Sequence, residues 1–214
     1  MNIQIYSFYT SDYSEYAKYF NKTYTGKGVL EQEEFPVLGK ENSTSSKPKF
    51  WYNNFINNNS KDFDFFIFAD IDLTFHNDFD FEEICFNNKI GTIYRKQFNY
   101  PQRMFNSSLI SVPFSLKDFI TDYYKNSLLT QIENLKISGN CYFHENLQIP
   151  NQYYWDQIAL YETLKNYEWQ NIDENIYCNN EVNPYSKILT PNEYRPQIKN
   201  DMWQKIKNYI DEKI

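Results

Sequence analysis

Residues 65–75 read FFIFADIDLTF, and this stretch decides the architecture. Five consecutive large or small apolar residues, Phe65 to Ala69, suit a strand buried on both faces, the central kind found in an α/β sheet covered by helices. The run is then broken by Asp70 and Asp72. At positions i and i+2 of an extended chain, both side chains point to the same side. Two ionised carboxylates so placed repel each other unless a cation lies between or beside them. The apolar run lies upstream, so the aspartates mark the carboxyl end of the strand, where open α/β sheets bind their ligands. Oxygen donors suit a hard divalent cation, Mn²⁺ or Mg²⁺, which reaches a protein through one or two carboxylates plus substrate phosphates. A D-x-D triplet alone arises easily by chance and can be a solvated strand end. Behind an uninterrupted apolar strand it becomes a candidate site.

Working outward, Phe63–Phe75 is expected to be one strand. Upstream, Ile3–Tyr9 (IQIYSFY) reads as a buried first strand. Thr10, Ser11 and Asp12 follow as turn and helix cap, and Ser14–Tyr24 as a helix. Gly26–Ser46 is polar and ends in ENSTSS, which predicts an irregular, mobile loop. Lys49–Asn58 reads as a helix with Phe50, Trp51 and Phe55 on its apolar side. Downstream, Lys89–Arg95 and Asn106–Val112 read as strands. Leu116–Leu129, Tyr154–Tyr167 and Met202–Ile210 read as helices. The alternation predicts an α/β fold with a mixed, mostly parallel sheet flanked by helices on both faces.

The totals exclude several function classes. The 214 residues carry a net charge of −7 with no basic stripe, so a nucleic-acid partner is not expected. A chain of this length can bury roughly 70% of its unfolded surface in one core. Cys85, Cys141 and Cys178 are odd in number and widely spaced, which points to reduced thiols and not to zinc or a disulfide framework. No secretory leader pattern and no long apolar run is present, so the expected location is cytoplasmic, bacterial or viral within a host cell, with no membrane span. Aromatics reach 20%, a share that AT-rich codon usage explains in part.

Two enzyme families share the Asp70–Asp72 signature. Asp70, Asp72 and Thr74 match letter by letter the D-x-D-x-T motif of the haloacid dehalogenase superfamily. That resemblance implies a phosphatase with Asp70 as nucleophile and Asp72 as acid/base. Its motif normally sits on the first strand, whereas a strand and two helices precede Asp70 here. None of the later aspartates, Asp118, Asp122, Asp156, Asp173 and Asp201, follows an apolar strand as that family's second acidic motif does.

The order of features over most of the chain resembles instead the GT-A fold nucleotide-sugar glycosyltransferases. YSFYTSDYSEYAKYF looks like the family's first strand and nucleoside-binding turn, which implies donor contacts from Thr10, Asp12 and Tyr13. SKPKFWYNNFINN before the D-x-D strand is similar to a basic helix opening, with Lys47 or, first, Lys49 near the pyrophosphate. RMFNSSLISV resembles the F-N-S-G strand, which implies that Asn106 and Ser107 line the donor-sugar pocket; the family's glycine is Ser108 here. YYWDQIALYETL resembles the D-Q-x-x-L segment and brings in Asp156 and Gln157. By this resemblance residues 1–214 form a single GT-A, Rossmann-like domain.

The implied activity is metal-dependent transfer of a sugar from a nucleoside-diphosphate sugar, a UDP-sugar foremost, to a glycan or other hydroxyl acceptor such as a protein-linked sugar. Asp72 and Asp70 would hold Mn²⁺ or Mg²⁺. In an inverting enzyme Asp156 would be the general base, with Glu145, Asp173 and Glu181 in reserve. In a retaining enzyme Asp156 would orient the sugar, and the sequence does not choose. Tyr153, Tyr154 and Trp155 could stack on sugar faces. Both histidines precede Asp156, and His76 reads as a surface residue. An inactive nucleotide-sugar-binding module is the non-enzymatic alternative.

Overall fold

The computed structural model describes residues 1–36, 40–57, 62–96, 104–136, 141–144, 147–150, 155–173, 177–179, 186–191 and 196–213. A six-stranded sheet forms its centre. The chain begins with β1 (Ile3–Thr10), α1 (Ser14–Thr23), β2 (Val29–Phe35), α2 (Lys40–Asn57) and β3 (Phe65–Ala69). A short β4 (Thr74–Phe75), β5 (Ile90–Tyr94), β6 (Phe105–Pro113) and α3 (Asp118–Lys136) follow. The hairpin β7 (Cys141–His144) and β8 (Leu147–Pro150) leads to α4 (Trp155–Leu164) and β9 (Trp169–Asn171). The chain ends with β10 (Tyr177–Asn179), β11 (Ile188–Thr190) and α5 (Pro196–Lys213).

The central sheet has the order β2-β1-β3-β6-β5-β9. β6 runs antiparallel to both its neighbours, while β1–β2, β1–β3 and β5–β9 are parallel pairs. Five strands therefore point one way and β6 alone is reversed. The chain steps from β1 outward to β2, then back across to β3 on the other side of β1. The carboxyl ends of β1 and β3 thus flank a topological switch point, the crevice where open α/β sheets bind ligands.

Alternation along the strands separates two cores. Ile3, Ile5, Phe65, Ile67 and Ala69 face α1 and the segments around β4 and β11, meeting Phe20, Phe75, Phe81 and Ile188. Tyr6, Phe8, Phe66, Phe68, Ile110 and Val112 face α2, α3 and α4, meeting Trp51, Phe119, Tyr123 and Leu160. α5 packs outside α1 through a third cluster of Tyr19, Leu189, Trp203, Ile206 and Ile210. A small second sheet, β10-β11-β4, caps the face carrying α1.

Three expectations are corrected. The loop expected over Gly26–Ser46 contains β2, an outer strand paired in parallel with β1 along its whole length, and the start of α2. An edge strand is held on one side by backbone bonds and tolerates the charged side chains of VLEQEEF, so its polarity hid it. α2 begins at Lys40 and not at Lys49, running through Pro48 even though proline supplies no N–H to the helical ladder. The strand expected to reach Phe75 stops at Ala69. Asp70 still donates its N–H to Ser108 O at 2.8 Å, but Leu73 N then turns back to Asp70 O at 3.3 Å, and β4 pairs separately with β11.

Candidate functional site

Asp70 and Asp72 therefore sit in a tight turn at the end of β3, not on an extended strand. The period-two argument fails for them. What gathers them is charge: each carboxylate takes a different lysine. Lys47 Nζ of α2 lies 2.7 Å from Asp70 Oδ2 and 3.2 Å from Asp156 Oδ2. Lys199 Nζ, from the first turn of α5, lies 2.9 Å from Asp72 Oδ2. Thr190 Oγ1 of β11 makes a long contact of 3.5 Å to Asp72 Oδ1.

The reversed strand β6 is what completes the site. Because it runs antiparallel, its first residues, Asn106, Ser107 and Ser108, arrive at the carboxyl end of β3. Ser107 Oγ donates to Asp156 Oδ2 at 2.5 Å. Asn106 Oδ1 accepts from Ser108 N at 2.9 Å, and Asn106 Nδ2 donates to Tyr177 OH at 3.0 Å. Ser108 Oγ, at the place of the family's glycine, lies 2.9 Å from the same phenol. Asp156 itself is in the first turn of α4, where a carboxylate is favoured by the helix dipole, and its Oδ1 accepts from Gln157 N at 2.9 Å. It is 1% exposed.

Three carboxylates and two ammonium groups thus share one half-sealed cluster. Burial, followed by the charges of Asp72 and Asp156, pushes Asp70 up to about 6, against the pull of Lys47. Asp72 goes the other way: burial opposes it, but the charge and hydrogen bond of Lys199, helped by Lys47, hold it below the usual carboxylate range. Burial alone would lower both lysines, and their acidic neighbours outweigh it, so both stay charged well above the ordinary lysine value.

The remaining residues named from sequence are distributed around this cluster. Thr10 ends β1 and donates to Asp12 Oδ1 at 2.5 Å. Tyr13 stacks on Tyr16 at 5.0 Å, and Lys199 Nζ stands 5.0 Å from the Tyr13 ring centroid. The lysine brought to the aspartates is Lys47; Lys49, two residues on, is exposed. His76 is half-buried and not at the surface: its Nε2 lies 3.0 Å from Thr74 Oγ1 and its ring 5.4 Å from that of Tyr209. Asp173 is exposed just after β9. Tyr153, Tyr154, Glu145 and Glu181 lie outside the described residues.

Sequence reasoning missed Lys199, Tyr177 and Thr190. For Lys199 a signal exists. It heads the stripe Lys199, Trp203, Ile206, Ile210, spaced i, i+4, i+7, i+11, whose other three members are buried. A lysine in the line of a buried apolar stripe asks for a partner. Tyr177 and Thr190 sit on three-residue strands with no periodicity to read.

No protein-family model and no curated protein matches the sequence. Solved structures do match the fold. The crystal structure of a glycosyltransferase involved in the glycosylation of the major capsid of PBCV-1 superposes with a TM-score of 0.57 at 11% identity, over 94% of this chain and 99% of that one. The chain therefore shares a glycosyltransferase fold along nearly its full length, a mixed α/β sheet of the Rossmann-like kind flanked by helices. Among the described residues no helix is long and apolar enough to cross a membrane.

Proposed function

We propose that this protein is a glycosyltransferase of the GT-A, D-x-D type. It moves a sugar from a nucleoside-diphosphate sugar, a UDP-sugar foremost, to a hydroxyl of a glycan or protein-linked sugar. The observation that carries the reading is the cluster of Asp70, Asp72, Asp156, Lys47 and Lys199 at the switch point beside the end of β1. The fold shared with a capsid-glycosylating enzyme supports it.

The donor set suits a divalent cation. Two carboxylates from one turn offer hard oxygen ligands, and each is paired with positive charge in the form of a lysine ammonium. Among the described residues no group of three or more His, Cys, Asp or Glu side chains gathers as a metal site. Asp72 and Asp70 would hold Mn²⁺ or Mg²⁺ with phosphate and water oxygens filling the other positions. A bound cation supplies charge neutralisation at the departing diphosphate.

The chain's own residues divide the remaining work. Thr10, Asp12 and Tyr13, at the end of β1, face the nucleoside. Lys47 adds fixed positive charge beside the leaving group. Asn106, Ser107 and Gln157 line the donor sugar. Asp156 Oδ2 already accepts from Ser107 and pairs with Lys47, which favours an orienting role over that of a free proton acceptor.

Titration of UDP into the wild-type protein and Asp72→Asn, each with Mn²⁺ and with chelator, tests the reading. Tight binding is expected only for wild type with Mn²⁺; one affinity in all four mixtures removes the site. Steady hydrolysis of small phosphate monoesters, abolished by Asp70→Asn, would replace the transferase with a dehalogenase-type phosphatase. UDP binding without turnover of any sugar donor would leave a binding module.

A further inference from the structure

Lys199 enters the site from outside its strand–helix units. α5 is anchored mainly on α1, where Trp203 Nε1 and Lys207 Nζ both donate to Glu15, and Tyr19 OH and Lys22 Nζ both donate to Asp211. From that anchorage the helix directs one ammonium at Asp72. The two side chains are 18% and 16% exposed, so the pair is largely shielded from water. Two ring faces, Tyr13 at 5.0 Å and Tyr16 at 5.2 Å, flank the same ammonium. Cation–π attraction offers it a resting place beside the carboxylate as well as on it.

A divalent cation and this ammonium want the same oxygen. A cation arriving alone must displace Lys199 or stand within a few ångströms of its charge, in surroundings where Coulomb repulsion is poorly screened. A diphosphate changes that balance, because its oxygens give Lys199 a second anion to pair with. We infer that Lys199 is a resident counter-ion that keeps a divalent cation off Asp72 until a nucleoside diphosphate brings its own negative charge. Cation and donor then load together, and the cation alone binds poorly. This rests on the reading of Asp72 as a cation ligand.

The test follows Mn²⁺ binding without activity, by calorimetry and by the electron-spin signal of the free ion. Wild type, Lys199→Met, Lys199→Arg and Lys207→Met are compared, with and without UDP. Lys199→Met should bind Mn²⁺ alone about tenfold more tightly than wild type, and UDP with Mn²⁺ about tenfold more weakly. Lys199→Arg and Lys207→Met should behave as wild type toward Mn²⁺ alone. Lys199→Gln carries the same expectations should the Met variant unfold. Equal binding of Mn²⁺ alone by wild type and Lys199→Met overturns the inference while leaving the metal site standing. Failure of wild type to bind Mn²⁺ even at saturating UDP overturns the reading of Asp72, and the inference with it.

Discussion

The two lysine–aspartate pairs look alike in distance, 2.7 Å for Lys47–Asp70 and 2.9 Å for Lys199–Asp72, and in how far they are shielded from water, and differ in what surrounds them. Lys47 is shared between two carboxylates, one of them 1% exposed and further bound by Ser107. Its helix, α2, contributes Phe50 and Trp51 to a core beneath the central sheet. Lys199 serves one carboxylate, is flanked by rings, and comes from a helix docked on the outside of α1. Asp70 and Asp156 are thus tied to the sheet by a lysine that cannot leave without stranding two acids. Asp72 is tied by a lysine that, on the inference above, gives way when cation and diphosphate arrive together.

Removing the first lysine should have the largest effect. Lys47→Met leaves Asp70 and Asp156 facing each other without a counter-ion, and breaking a buried pair from one side costs about 3–5 kcal/mol. Urea unfolding should show a lower midpoint with an unchanged slope. Lys199→Met should cost distinctly less. Equal losses would erase the distinction between a fixed and a replaceable lysine.

Next comes Asp156→Asn. The amide can still accept from Gln157 N at the helix start, but it puts an NH₂ donor where Oδ2 accepted from Ser107 and removes the charge facing Lys47. If the enzyme inverts, turnover should fall roughly 10²-fold or more with donor affinity nearly intact; if it retains, the change should weaken placement of the sugar. Product stereochemistry by NMR separates the roles: an inverted product fits a lost proton acceptor, a retained one fits a lost sugar-orienting group. Unimpaired turnover would reduce Asp156 to a helix-start acid and sharpen the site to the Asp70–Asp72 turn.

How far these residues were legible follows from what holds them. The FFIFA strand and the aspartates after it could be read because burial on both faces demands an unbroken apolar run. The Asn106–Ser108 strand and the Asp156 helix start could be read because they carry their own local patterns. The choice of Lys47 over Lys49 could not, because helical phase across Pro48 depends on a helix start nine residues upstream of the one expected. β2 was hidden because an edge strand needs no apolar face. The turn at Asp70 was hidden because it is imposed by pairing of Thr74–Phe75 with β11, more than a hundred residues away.

The two aspartates should also titrate in opposite senses. Asp70 is raised from 3.8 to about 6, so the folded state binds its proton more readily than the unfolded chain does. That contribution is present below pH 3.8 and is lost as pH rises through about 6. Asp72 is lowered, so its contribution is present above 3.8 and is lost as pH falls through its depressed value. Of the two, only Asp70 changes between pH 5 and pH 7, and it makes the protein less stable as pH rises, by on the order of 1–2 kcal/mol, while His76, lowered to about 4 by burial, acts in the opposite sense over the same window. The pH dependence of unfolding free energy should differ between wild type and Asp70→Asn by this amount, the His76 contribution being common to both. An identical slope in both would mean that Asp70 is ionised throughout and as firmly paired as Asp72.

The smallest effect belongs to a third lysine, and it sets the scale for the other two. Lys207 Nζ lies 2.7 Å from Glu15 Oε1, as close as Lys47 lies to Asp70, but the Glu15 side chain is 52% exposed. Water and salt screen such a pair, and the long side chains lose freedom to form it, so exposed pairs contribute about 0–1 kcal/mol. Glu15 also keeps the hydrogen bond from Trp203 Nε1, so it is not left alone when the lysine goes. Lys207→Met should therefore shift the urea midpoint barely at all at physiological salt, with any shift shrinking further as salt is added. The same substitution at Lys47 should be nearly indifferent to salt, because its partners are shielded. If Lys207→Met cost as much as Lys47→Met, distance alone would govern these pairs, and burial could not be the reason that the Lys47 pair stabilises the fold and the Lys207 pair does not.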